Sequence, residues 1–337
     1  MHHVHTMAYA NETPWHGLGH CLAPNQPIET WAKTAGMDWR IEEAEVRFAT
    51  GDQDQDSGRA TIHAFPHQKV LYRSDNQTPL AVVSNRYQPV QPGDVIEFFR
   101  DLTEVGGFEL ETAGVLKEGR KFWALARTGQ STVLKGRDRV NGYLLLATAC
   151  DGTLATVAQF TSVRVVCNNT LAIALGQRQG AVKVPHRSQF DAQAVKRQLG
   201  VAVSSWGLFL DRIKALSECK VSATASEAFF RKVLTYAASE NHPDAGGSAN
   251  PESREQKAPA VNDRALKSVL SLYSGLGKGA DLASARGTAW GMLQSVTEHV
   301  DHHRRARTKD HRLDAAWFGA GAALKQRAWE EANKLIA

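Results

Sequence analysis

Cysteine is scarce in this chain: Cys21, Cys150, Cys167 and Cys219 lie far apart in 337 residues and no two form a CxxC pair. That spacing excludes a disulfide framework and a zinc knuckle, and leaves buried thiols as the plain reading. Long apolar runs are missing too, since none approaches the roughly 20 residues that a bilayer-spanning helix needs. There is no GxxxxGK[ST] loop and no GxGxxG between a strand and a helix, which removes the usual phosphate cradles. GxSxG elbows and phosphatase-type cysteine loops are likewise absent, so nucleophilic hydrolysis is not expected. The opening MHHVHTMAYANETPWHGLGH has neither a basic start nor a following apolar stretch, and the expected compartment is the cytoplasm of the host cell.

What is present is positive charge, unevenly spread. The chain carries +5 overall, yet residues 1–60 hold four Lys/Arg against nine Asp/Glu, or −5, so the remainder carries +10. Residues 160–217 alone have eight Lys/Arg against two Asp, for +6. A clustered excess of this kind is the electrostatic footprint of a polyanion partner.

The patterning predicts an α+β fold in three parts. Residues 1–38 read as a loop-rich arm or cap with one short helix in IETWAKTAG. Residues 39–187 read as a β-rich core: a meander to Ser84, a helix in PGDVIEFFRDLTEVGGF capped by Asp94, then further strands in a curved, mainly antiparallel sheet. Residues 188–337 carry helical periodicity, interrupted near 239–260 by a stretch with the composition of a flexible linker.

Metal chemistry has one candidate in TEHVDHHRRAR, where helical spacing would bring Glu298, His299, Asp301 and His302 toward one face, the basis of an alternative reading as a metal-dependent nuclease. The adjoining Arg304, Arg305, Arg307, Lys309 and Arg312 would instead grip phosphates. The histidines of the first twenty residues, with Cys21, are too irregularly spaced for a zinc pattern.

A binder of single strands needs a cationic groove and aromatic platforms. Arg86 and Tyr87, Arg120, Lys121 and Trp123, Arg164 with Asn168, Asn169 and Thr170, and Lys183 with Arg187 offer that mixture. In SVRVVCNNTLAIAL, Arg164 is expected to meet phosphate from a strand, and Asn168 to Thr170 to cap a following helix.

The motifs ETPWHGLG, VVSNRYQPVQP, ETAGVLKEGRKFWALA, YLLLATACDGT, SVRVVCNNTLAIAL, VPHR, RGTAWGMLQSVTEHVDH and WFGAGAALK resemble, in order, those of the DUF932 family of phage/plasmid-like proteins. Where that family usually carries a histidine before its DGS motif, this chain has Cys150. The family implies a mobile-element protein. A strand, a helix and a curved antiparallel hairpin are also similar to the core of Rad52-like annealing proteins, which implies single-stranded DNA as partner and a homo-oligomeric ring or filament. The resulting expectation is a non-hydrolytic single-strand binder, without cofactor and without a membrane, that promotes annealing. A further alternative is a non-enzymatic protein that binds a host defence or replication factor through its acidic first sixty residues.

Overall fold

The computed structural model describes residues 4–11, 19–50, 61–166, 169–172, 181–202, 204–239 and 262–337. The fold is α+β, with an open, mainly antiparallel sheet and a helical C-terminal region. The chain forms two compact units: residues 1–129, 143–159 and 181–200 make the first, and 130–142, 160–180 and 201–337 the second. No described helix is long and apolar enough to cross a membrane.

In the first unit, β1 (Val4–Ala10) lies antiparallel to β6 (Glu109–Leu116) and parallel to the short β2 (His20–Leu22). The opening segment thus contributes two strands to the sheet, with Met7, Ala8 and Ala10 buried. The helix α1 (Ile28–Thr34) follows as expected, burying Ile28 and Trp31. A separate three-stranded sheet is made by β3 (Ile41–Thr50), β4 (Thr61–Arg73) and β5 (Pro79–Ser84). Next come α2 (Pro92–Glu97) and α3 (Arg100–Glu104), where one helix was expected. Asp94 is not the cap of α2 but its third residue, accepting the N–H of the true cap Gln91 at 3.1 Å in a capping box.

The long strands β7 (Lys121–Leu134), β8 (Asp138–Ala149) and β9 (Thr156–Arg164) each contribute to both units. β7 turns into β8 through Lys135 and Gly136, both at positive φ (43° and 84°), the two-residue hairpin geometry that matches strand twist. β9 pairs with β11 (Ala181–Val184) along its first half and with β10 (Asn169–Ala172) along its second. The helix expected to begin near Asn169 is thus a strand: Asn169 faces Arg164 and Thr170 faces Val163 in an antiparallel ladder.

Helices α4 (Ala192–Ala202), α5 (Ser204–Glu218), α6 (Ala223–Ser239), α7 (Asp263–Ser271), α8 (Ala289–Glu298), α9 (Lys309–Phe318) and α10 (Ala320–Asn333) complete the chain. In the second unit Phe209, Phe230, Trp290, Leu293, Val296 and Trp329 form the core. Side-chain oxygens of Asn262, Thr288 and Thr308 cap α7, α8 and α9, taking up N–H groups that a helix start leaves unpaired. Two π-turns interrupt this regularity: Leu272–Leu276 after α7 and His299–His303 after α8.

Candidate nucleic-acid interface

In the first unit, the segment after β5 runs beside the segment after β11. Gln88 donates its N–H to the carbonyl of His186 at 2.6 Å, and the rings of Tyr87 and His186 stack with centroids 4.6 Å apart. The Tyr87 hydroxyl donates to the carbonyl of Ala149 at 2.8 Å, and the next residue, Cys150, donates its N–H to the carbonyl of Arg120 at 2.8 Å. These links bring together the segments that carry Arg86, Arg120 and Arg187, while Lys183 stands in β11 opposite Val157. Arg86, Lys183 and Arg187 are exposed, and Arg120 is half-buried with its Nε donating to the Lys117 carbonyl.

Several other cations of this unit are neutralised. Arg100 reaches Glu29 and Glu97 at 2.6 Å, Arg73 pairs with Asp75, Arg127 with Glu111, and Lys196 with Asp101. Among the described residues, no carboxylate comes within ion-pair distance of Arg86, Arg120, Lys183 or Arg187. Arg86, Lys183 and Arg187 are thus open to an external anion, as are the exposed Lys33, Arg40 and Arg197 of the same unit.

Lys121 and Trp123 do not belong to it. Both are buried in β7, Trp123 with its ring against Gly114, so neither offers a surface to a base or phosphate. Cys150 is also sealed: burial first, and the Asp151 charge second, push its thiol up to about 12, which leaves it protonated and unfit as a nucleophile.

The structure turns Arg164 inward as well. Its Nε donates to Oδ1 of Asp138 at 2.7 Å, while Nη1 and Nη2 donate to the carbonyls of Lys278 and Gly279. The other oxygen of Asp138 accepts from Ser284 Oγ and Trp290 Nε1 at 2.7 and 3.0 Å. Asn169 gives its amide N–H to Gln294, and the Thr170 N–H and hydroxyl both donate to Asp301 Oδ2. Lys325 closes this second network, donating to Asp301 Oδ1 at 2.8 Å and to the Thr170 carbonyl at 2.9 Å. The arginine and the small polar residues of the β9–β10 hairpin satisfy one another and the helices of their own unit; they do not present themselves to a phosphate. Asn168 lies outside the described residues, as do Cys167, His2, His3, His16 and the linker.

Nor do the candidate metal ligands converge. The π-turn at His299–His303 shifts the spacing that an α-helix would impose, as the Arg304 N–H donating to the His299 carbonyl at 2.7 Å marks. Glu298 accepts the Lys278 N–H, His299 meets Ser268 Oγ at 2.9 Å, Asp301 is held by Lys325, and His302 meets Asn169 Oδ1. Among the described residues, no group of three or more His, Cys, Asp or Glu is placed to hold a metal ion.

His186 was not singled out from sequence. Its only signal is the VPHR motif, in which it sits directly before Arg187.

A family model, the domain of unknown function DUF932, matches residues 79–317. No curated protein and no solved structure matches the chain significantly, so no solved structure supports the likeness to Rad52-like proteins.

Proposed function

The chain belongs to the DUF932 family, whose model covers most of its length, and from that premise we propose that it is a mobile-element protein of the cytoplasm that binds single-stranded nucleic acid. The observation that carries this reading is that the exposed Arg86 and Arg187 directly adjoin the stacked Tyr87 and His186 in the chain, and that neither they nor Arg120 and Lys183 have carboxylate partners among the described residues. Cations so placed hold phosphates, and the planar guanidinium groups of Arg86 and Arg187 also suit the faces of unstacked bases. No metal and no covalent step is required of them.

Titrating a fluorescent single-stranded oligonucleotide across a salt series tests this. Replacing Arg86 and Arg187 together by alanine should weaken binding and reduce the slope of log affinity against log salt by about 0.7 for each phosphate no longer neutralised. Unchanged affinity and slope in the folded variant sink the reading. Faster pairing of complementary strands by the wild type, abolished in the variant, would extend it to annealing, and scattering measurements with and without oligonucleotide would detect the accompanying oligomer.

The three-stranded sheet favours a second reading, a protein partner. Phe48 and Phe65 stand 49% and 42% exposed on one face of it, Phe65 opposite Val46 and Phe48 two residues further along β3, a surface suited to an apolar contact on a partner protein. Retention of a host factor by the wild type but not by a Phe48→Ser/Phe65→Ser variant, with no oligonucleotide affinity in either, would favour it over the first.

A further inference from the structure

The second unit has a concentration of positive charge that the reading above does not use. Between the π-turn at His299–His303 and α10 lies a cavity of about 360 Å³, lined by Arg304, Arg305, Arg307, His311 and Arg312. Among the described residues no carboxylate pairs with any of these arginines. Asp301, the nearest acid before them in the chain, is fully buried and already held by Lys325 and Thr170.

Two of the guanidinium groups have donors without an acceptor. Nη1 of Arg304 and Nε of Arg312 are buried and meet no hydrogen-bond partner, although Nη1 of Arg312 donates to the His302 carbonyl at 2.7 Å. Burial, and then the charge of Arg327, hold the Arg304 guanidinium below its ordinary range. An anion in the cavity would offset that crowding of like charge among the arginines that line it. Arg305, Arg307 and His311 are exposed and add positive potential on the solvent side.

The remaining wall is apolar and tightly built, from Val300, Ala315, Ala316 and Gly321. A Cβ at Gly321 would come within 2.8 Å of a Val300 methyl and 2.6 Å of the Ala315 carbonyl, so a larger residue there would disturb the packing of this wall. A cavity of this size lies at the small end of the range for organic ligands, and it joins several cationic groups to an apolar surface.

We propose that the cavity bounded by Arg304, Arg305, Arg307, His311 and Arg312 binds an organic phosphate of mononucleotide size, with Arg304 and Arg312 on the phosphate and the apolar wall against the base or sugar. The site is independent of the single-strand interface, and the two predict different ligands.

Calorimetric titration of the full chain with adenosine monophosphate, inorganic phosphate and adenosine tests it. One adenosine monophosphate per chain should bind saturably, inorganic phosphate more weakly, and adenosine not measurably. Arg304→Gln combined with Arg312→Gln should lower affinity by about tenfold or more, since two charge-assisted hydrogen bonds to the phosphate are removed. Because Arg312 also holds the His302 carbonyl, Arg305→Ala with Arg307→Ala serves as a second variant at exposed positions and should weaken binding in the same direction. The Arg86→Ala/Arg187→Ala protein should keep its mononucleotide binding even if it no longer binds oligonucleotide. The proposal is overturned by the absence of saturable binding, by adenosine binding as well as its monophosphate, or by affinity that survives in both arginine variants.

Discussion

Arg164 and Asp138 meet at 2.7 Å with their side chains only 2% and 0% exposed, one from the end of β9 and the other from the start of β8. Every remaining polar atom named around the pair is occupied: Ser284 and Trp290 hold Asp138, and two loop carbonyls take the arginine. A buried ion pair so satisfied is costly to break from one side, because the surviving charge stays in the interior without compensation.

Arg164→Ala should accordingly lower unfolding stability by about 3–5 kcal/mol. Urea denaturation measures it. Arg164→Met combined with Asp138→Leu removes both charges and should recover part of that loss, as apolar replacements of buried pairs often do. A single-variant loss no larger than that of an exposed salt bridge, about 1 kcal/mol or less, would contradict the network described.

The helices and most strands were legible because their periods survive in the sequence: α5, α6 and α8 repeat apolar residues at helical spacing, and β7 and β8 are bounded by turn residues. LAIAL after Thr170 was not, since a short apolar run fits helix and strand alike, and pairing of Asn169 and Thr170 with β9 decided between them at positions 169–172. The role of Arg164 was equally hidden. Its partner lies 26 residues away in the RDRV turn, and nothing local distinguishes a cation meant for a phosphate from one meant for Asp138. Arg86, Lys183 and Arg187 were readable as exposed cations, but the approach of the segments that carry Arg86 and Arg187 depends on the hydrogen bond between residues 88 and 186, which no spacing announces.

Two helical glycines separate space from propensity. At Gly291 in α8 a Cβ would overlap the Ala285 carbonyl, whereas at Gly207 in α5 it would meet nothing within 4 Å. Gly291→Ala should cost about 1–3 kcal/mol through overpacking. Gly207→Ala, in the first turn of α5, should add up to about 0.5–1 kcal/mol, the usual gain from removing a helical glycine. Thermal unfolding of the two variants should move in opposite directions.

The thiols offer a chemical check on burial. Cys21 is exposed, Cys219 half-buried, and Cys150 buried with its Sγ 3.5 Å from the Arg120 carbonyl. Of these three thiols, iodoacetamide at pH 8 should alkylate Cys21 first and leave Cys150 intact until the protein unfolds, because its thiol is pushed up to about 12. Peptide mass spectrometry reads the order. Early modification of Cys150 would contradict the sealed geometry beside Arg120.

His299 ties stability to pH. Burial, followed by the charges of Arg304 and His303, lowers its pKa to about 4 from an ordinary 6.5. The unfolded chain therefore binds a proton at this site between those two values while the folded chain does not, so unfolding takes up a proton and stability falls as the solution is acidified. The contribution is fully present above pH 6.5 and is lost progressively down to about pH 4, and a displacement of this size corresponds to about 3 kcal/mol. His299→Gln keeps a polar group within reach of Ser268 Oγ, which His299 Nδ1 meets at 2.9 Å, but removes the titration. Urea unfolding of both proteins from pH 7 to pH 4 should give a steeper decline for the wild type, with the difference confined to that window; parallel curves would show that His299 takes up its proton as readily in the fold as out of it.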